Sequence, residues 1–117
     1  MALYAALTYT RLDVDWSDPQ YAEEMKEYNE FGQAAEAVIK GGAALYPTST
    51  ATTVRVAGGK GGDVITSDGP YAETKEALTG FYLVECADLD EAVALAARIP
   101  AAWDGAVEVR PVIQFGS

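Results

Sequence analysis

The sequence contains no histidine and only one cysteine, Cys86. Without an imidazole there is no side chain suited to move protons near neutral pH, to bind a transition metal, or to activate a serine or cysteine nucleophile. A single cysteine cannot form an internal disulfide, and Cys86 ends an apolar run in which a buried structural thiol is the usual interpretation. We therefore predict no metal site, no cofactor and no Ser-His or Cys-His nucleophile.

Positive charge is also scarce. Eight Lys and Arg residues face eighteen Asp and Glu residues, which gives a formal net charge of −10. Such a chain repels phosphate backbones and anionic lipid headgroups, and its few basic residues form no run. The sequence has neither a leader-like amino terminus nor an apolar stretch of the ~20 residues that a bilayer span needs. We expect no direct nucleic-acid binding, no membrane partner and a cytoplasmic location.

The length and composition suit one folded unit. A chain of 117 residues fits a single domain, here residues 1–117, and half of its residues are hydrophobic, which argues against disorder. A chain of this size can bury a core without disulfides or metals.

Hydrophobic periodicity and turn residues predict extended segments and two helices. The extended segments are placed at residues 2–9, 45–46, 51–56, 64–66, 79–86 and 106–115, and the helices at residues 19–40 and 89–99. The glycine-rich residues 58–62 lack the pattern of a phosphate-binding loop and are predicted to form a hairpin turn. The order of elements predicts an α+β protein with a ferredoxin-like split βαβ antiparallel sheet and two helices on one face.

The strand at residues 79–86 is apolar on both faces. Phe81 and Leu83 share one face, while Tyr82 and Val84 share the other. Two helices cover only one face of a sheet, so a strand of this kind needs a second cover. The simplest cover is another copy of the chain packed sheet against sheet, and we therefore expect a homodimer.

Charged residues interrupt this pattern near the end of the chain. If Val107 and Val109 face the helices, Glu108 and Arg110 point toward the space between the two sheets, and Arg55 alternates with valines in the same way. A charge in that space must be paired or must meet a ligand. Two interpretations stay open: a salt-bridge network between the sheets, or a small-molecule pocket with an anion-binding arginine.

Residues 68–76, Asp-Gly-Pro-Tyr-Ala-Glu-Thr-Lys-Glu, form the densest polar segment of the chain. This segment resembles the hallmark of the YCII-related proteins of the DGPF subgroup, Asp-Gly-Pro-Phe-Ala-Glu-Thr-Lys-Glu, with Tyr71 in place of the phenylalanine. The similarity continues through residues 79–82, 89–100 and 107–111. It implies a ferredoxin-like fold in a dimeric α+β barrel.

The resemblance does not supply a reaction, because the family is largely uncharacterised. Some similar proteins are encoded with or fused to extracytoplasmic-function sigma factors, which implies a possible link to transcriptional regulation. The wider YCII group has been proposed to use a His-Asp pair, and this chain has no histidine with which to form one.

Two interpretations of residues 68–76 follow. In the first, Asp68 caps a turn and Glu73, Lys75 and Glu76 form local ion pairs. In the second, the segment borders a pocket, with Asp68 as the candidate general base. The candidate ligand-binding residues are Arg55, Tyr71, Glu73, Lys75, Glu108 and Arg110.

Three functions therefore stay open. The first is a homodimer with a pocket for a small anionic ligand between its sheet faces. The second is a binding or regulatory module without chemistry, linked to transcription through a sigma factor. The third is a cofactor-independent isomerase or lyase with Asp68 as its base, which rests on fold analogy.

Overall fold

The computed structural model describes residues 1–11 and 13–116. Its helices are α1 (Ala22–Ala34), α2 (Leu89–Ala96) and α3 (Ala101–Asp104), with short 3₁₀ turns at Pro19–Tyr21 and Thr48–Thr50. Its strands are β1 (Ala2–Thr10), β2 (Ile39–Ala44), β3 (Thr52–Val56), β4 (Val64–Asp68), β5 (Ala77–Cys86) and β6 (Ala106–Pro111).

The strands form two antiparallel sheets. The larger sheet has the order β2-β5-β1-β6. The strands β1 and β5, which are the first and third of these four along the chain, lie side by side at its centre, as in a split βαβ arrangement. The smaller sheet is the separate β3–β4 ribbon. This arrangement confirms the predicted α+β class and is compatible with a ferredoxin-like fold.

Both longer helices pack on one face of the larger sheet, which we call the helix face. Alternation along β1 buries Tyr4 and Ala6, which lie opposite Val84 and Tyr82 of β5. Phe31 of α1 contacts the Tyr82 ring edge to face, with 5.2 Å between the ring centroids. The helix face therefore holds the core, as the alternation predicts.

The opposite face of the larger sheet, which we call the open face, carries leucine and phenylalanine side chains. Leu3 and Leu7 of β1 and Phe81 and Leu83 of β5 alternate with the buried residues and are only partly buried. At its edge, the Glu108 carboxylate lies 3.8 Å from the guanidinium of Arg110, and both side chains are exposed.

The first helix is shorter than predicted. It ends at Ala34 instead of residue 40, and β2 occupies residues 39–44, upstream of the predicted residues 45–46. The pair Gly41 and Gly42 therefore lies within a strand rather than at a helix end. A Cβ at Gly42 would lie 2.5 Å from the Phe81 carbonyl oxygen, so close contact with β5 requires glycine there.

The second helix also ends early, at Ala96, and the chain then turns into α3, which the sequence analysis missed. Pro100 precedes α3 instead of ending a helix, and the Trp103 amide donates to its carbonyl at 3.0 Å. Proline suits this place because a first helical turn needs no amide donor from it. The last strand ends at Pro111, not at residue 115.

The β3–β4 ribbon is a hairpin whose turn contains Gly58, Gly59 and Gly61 with positive φ, which confirms the predicted turn. Val56 pairs with Val64, and the side chains of both strands are almost entirely exposed. In the described part of the chain, no helix has the length and hydropathy that a bilayer span requires.

Candidate functional site at the carboxyl end of strand β1

A broad groove of about 1110 Å³ lies where β1 ends. The sequence motif forms one of its walls, since most of the segment 68–76 borders the space. The lining residues are Tyr9, Arg11, Asp13, 45–51, 69–75 and 77–78. We call this space the motif groove.

Backbone and side-chain contacts tie the motif to the β3–β4 ribbon. The amide of Gly69 donates to the carbonyl of Ala51 at 2.8 Å, and the Thr53 hydroxyl donates to the Gly69 carbonyl at 2.9 Å. Gly69 has φ of 98°, a value that favours glycine. The Arg55 guanidinium lies 5.0 Å from the centroid of the Tyr71 ring, in a cation–π contact. The groove wall is therefore fixed by the neighbouring strand.

The groove contains two cations. The Arg11 guanidinium lies 3.8 Å from the Glu76 carboxylate, and the Arg11 side chain is 73% exposed. Among the residues that the structure describes, Lys75 forms no ion pair within 4.0 Å. The Asp13 carboxylate is already engaged, because it accepts from both the amide and the hydroxyl of Thr48. Both cations are therefore accessible to a ligand.

The predicted site residues lie in different parts of the structure, namely the motif groove, the β3–β4 ribbon and the larger sheet. Tyr71, Glu73 and Lys75 line the motif groove. Arg55 stacks on Tyr71, and Asp68 is the last residue of β4 outside the groove lining. Glu108 and Arg110 belong to the larger sheet, on its edge strand β6.

The roles suggested for Asp68, Glu108 and Arg110 stay predictions. Arg11 was missed by the sequence analysis, although a usable signal was present. It directly follows the first strand, at the sheet end where the motif segment enters β5.

A smaller cavity of about 280 Å³ lies on the helix face. Aromatic and small residues dominate its walls. The lining residues are Thr8, Trp16, Met25, Tyr28, 42–44 and 79–82. We call this space the aromatic cavity. The sequence analysis missed it, because its residues come from four separate parts of the sequence, namely β1, residues 16–28, β2 and β5.

The pKa values of two tyrosines in the aromatic cavity are raised. Burial raises the pKa of Tyr28 to about 12, with further contributions from Tyr82 and the negative charge of Asp104. Burial also raises the pKa of Tyr82. Both shifts have the same cause, since an apolar and acidic environment disfavours a phenolate.

Reactive centres of other kinds are scarce in the described residues. Cys86 is buried, and burial raises the pKa of its thiol, with smaller contributions from Glu91 and Asp88. A thiol of this kind is a poor nucleophile. Within residues 1–11 and 13–116, no group of three Cys, Asp or Glu side chains is placed to hold a metal ion.

Comparisons with known proteins support the similarity to YCII-related proteins. The profile of the YCII-related domain family matches residues 2–116. An uncharacterised protein of Rhizobium meliloti (strain 1021) is 40% identical over 119 aligned positions, which cover 97% of this chain and 94% of that protein. The similarity thus extends over essentially the whole chain.

Proposed function

The chain belongs to the YCII-related domain family, and on that premise we propose that it is a small-molecule-binding homodimer that holds an organic anion in the motif groove. The beginning of the motif, Asp68-Gly69-Pro70, supports placing it in the DGPF subgroup. The observation that carries the proposal is the motif groove itself, because the family motif forms its wall and two accessible cations line it.

The local charge supports an anionic ligand. The whole chain carries −10, yet in the groove lining Arg11 and Lys75 balance Asp13 and Glu73. Asp13 accepts hydrogen bonds from Thr48, and the pair of Arg11 with Glu76 is long, at 3.8 Å. A guanidinium can bind a carboxylate or phosphate through two parallel hydrogen bonds, and an ammonium group adds a compact charge. The volume of about 1110 Å³ is large enough for a metabolite-sized ligand.

The open face supports the homodimer. Its central strands present Leu3, Leu7, Phe81 and Leu83, which the described part of the chain leaves only partly buried. Burying a leucine or phenylalanine contributes roughly 1.5–3 kcal/mol, so a second copy packed here would remove a large penalty of exposure. This packing would produce the dimeric α+β barrel.

Ligand binding is testable with two simple anions. Inorganic phosphate and glutarate should each raise the melting temperature of the wild type, measured by differential scanning fluorimetry at constant ionic strength. The double variant Arg11→Ala/Lys75→Ala should lose that rise. The control Lys26→Ala/Lys60→Ala removes the same charge outside the groove and should keep it. The proposal fails if neither anion stabilises the wild type, or if both double variants respond alike.

Assembly is testable by sedimentation equilibrium. The wild type should have twice the chain mass of 12.4 kDa at micromolar concentration. Leu83→Glu places a charge on the open face and should give monomers, whereas Leu89→Glu makes the same change at an exposed position of α2 and should leave dimers intact. A monomeric wild type would contradict the sheet-to-sheet assembly.

A further inference from the structure

The aromatic cavity is distinct from the motif groove, because the two have no lining residue in common. Trp16, in the connection after β1, forms part of its wall and contacts Tyr28 edge to face at 5.8 Å between ring centroids. Met25 adds a flexible thioether from α1. Rings and thioethers favour a flat, polarisable ligand through dispersion and edge-to-face contacts.

Glycine occupies two of the positions that β2 and β5 contribute to the cavity lining. A Cβ at Gly42 would lie 2.5 Å from the Phe81 carbonyl oxygen, and a Cβ at Gly80 would lie 2.5 Å from the Ala43 carbonyl oxygen. The close pairing of β2 and β5 thus dictates glycine at both positions. A consequence of that pairing is a wall without side chains at these two positions, against which a planar ring can lie.

The electrostatic environment disfavours a charged ligand. Among the described residues, no Lys, Arg, Asp or Glu lines the cavity. The raised pKa values of Tyr28 and Tyr82 report the same property, since the surroundings disfavour even a phenolate. A ligand here should therefore be neutral.

Two threonine hydroxyls supply polar recognition. The Thr8 hydroxyl donates to the Gly80 carbonyl at 3.0 Å, and the Thr79 hydroxyl lies 3.3 Å from the Thr8 carbonyl and 3.1 Å from the Thr8 hydroxyl. Each hydroxyl has one proton and an oxygen within reach that receives it, so lone pairs remain available. These oxygens can accept a hydrogen bond from a ligand N–H or O–H group.

We propose that the aromatic cavity is a second binding site, for a neutral bicyclic aromatic molecule that carries one hydrogen-bond donor. A cavity of about 150 Å³ is known to admit benzene, so a space of about 280 Å³ suits two fused rings. The apolar walls bind the rings, and Thr79 accepts from the donor.

Three probes of similar shape test each part of this proposal by isothermal titration calorimetry. Indole has the two rings and an N–H donor. Benzofuran replaces that donor with an oxygen, and indole-3-carboxylate adds a negative charge. Indole should bind once per chain, benzofuran about tenfold more weakly for the loss of one hydrogen bond, and the carboxylate should not bind.

Variants locate the site. Met25→Trp fills the cavity and should abolish indole binding, while the matched control Asn29→Trp adds the same ring on the exposed surface of α1 and should leave it unchanged. Thr79→Val keeps the shape but removes the acceptor, so it should weaken indole about tenfold and leave benzofuran unaffected.

Several results would overturn the proposal. One is that titration with indole releases no heat up to its solubility limit. Another is that indole and indole-3-carboxylate bind with equal affinity. A third is that the variant Met25→Trp binds indole as tightly as the wild type does. Circular dichroism and melting curves establish that each variant is folded; if Met25→Trp fails to fold, Ala44→Leu fills the same cavity from β2. The double variant Arg11→Ala/Lys75→Ala should bind indole normally, which separates this site from the motif groove.

Discussion

A strand valine at the centre of the larger sheet is buried, whereas strand valines of the β3–β4 ribbon are exposed. Val84 of β5 is 2% exposed, whereas Val54 and Val64 of the ribbon are 60% and 68% exposed. The same residue type, in the same extended conformation, thus reaches opposite degrees of burial. Alternation determines the face on which a side chain lies, but burial depends on whether another layer covers that face.

The two regions differ in what stabilises them. On the helix face, α1 and α2 add a layer to the sheet, and Ile99 after α2 is almost fully buried. Among the described residues, the ribbon is held by its own backbone pairing and by the contacts near Gly69 and Tyr71. An isolated two-stranded hairpin is marginally stable in water, so the ribbon depends on its attachment or on a further cover.

The largest expected effect is on the free energy of unfolding, when an apolar side chain is shortened in the core of the larger sheet. The same kind of change in the ribbon is its comparison. Ile99→Ala should lower the free energy of unfolding by about 2–5 kcal/mol, because Ile99 is buried and the variant leaves a cavity. Val64→Ala should change it by less than about 0.5 kcal/mol. Urea denaturation at low protein concentration measures both.

Raising the protein concentration sharpens the same measurement. If a second copy covers the ribbon, Val64→Ala should become more destabilising as dimers form, whereas the cost of Ile99→Ala should change little. Equal losses in both variants at low concentration would contradict the division of the molecule into a covered sheet and an uncovered ribbon.

A smaller effect concerns the helix layer. The Asp88 carboxylate accepts a hydrogen bond from the Glu91 amide at 2.9 Å and so caps α2. Asp88→Ala should cost about 1 kcal/mol, measured by urea denaturation. Asp90→Ala, in the first turn of the same helix, removes an equal charge without removing that cap, and it should cost clearly less.

The smallest expected effect at neutral pH involves Tyr28. Its pKa is about 12 in the folded protein and near 10 when unfolded, so the unfolded chain loses its proton first. This contribution to stability is complete below pH 10 and is lost as the pH rises toward 12. Tyr28→Phe should therefore flatten the decline of the unfolding free energy in that range.

A difference in alkaline absorbance isolates the same proton. Subtracting the 295 nm titration of Tyr28→Phe from that of the wild type should give a curve centred near pH 12. A difference curve centred near pH 10 would show that the Tyr28 environment is solvated. The ribbon strands contain no tyrosine, so this measurement reports on the sheet side of the comparison alone.

Sequence reasoning performed best where local and tertiary signals agree. The first strand and the strand ending at Cys86 were located correctly because their alternation matches a sheet with one covered face. The Asp88 cap is a feature of the same kind, since capping depends on a few neighbouring residues.

Sequence reasoning failed where contacts between distant parts of the chain determine the local structure. Gly41 and Gly42 resemble a helix end, and only their contact with β5 explains a strand there. The candidate sites show the same limit. The motif predicted Tyr71, Glu73 and Lys75 at the groove, but the approach of Arg11 and the assembly of the aromatic cavity depend on the whole fold.

The reciprocal contact between β2 and β5 has a consequence for the substitutions that this chain can accept. Gly42 is blocked by a carbonyl of β5, and Gly80 is blocked by a carbonyl of β2. Neither obstruction is a side chain, so no second-site change of residue type can relieve it. In a saturation library selected for folded protein, both positions should keep glycine alone, and pairwise combinations should rescue neither. The two positions are thus fixed independently of each other, and they offer evolution no compensatory route.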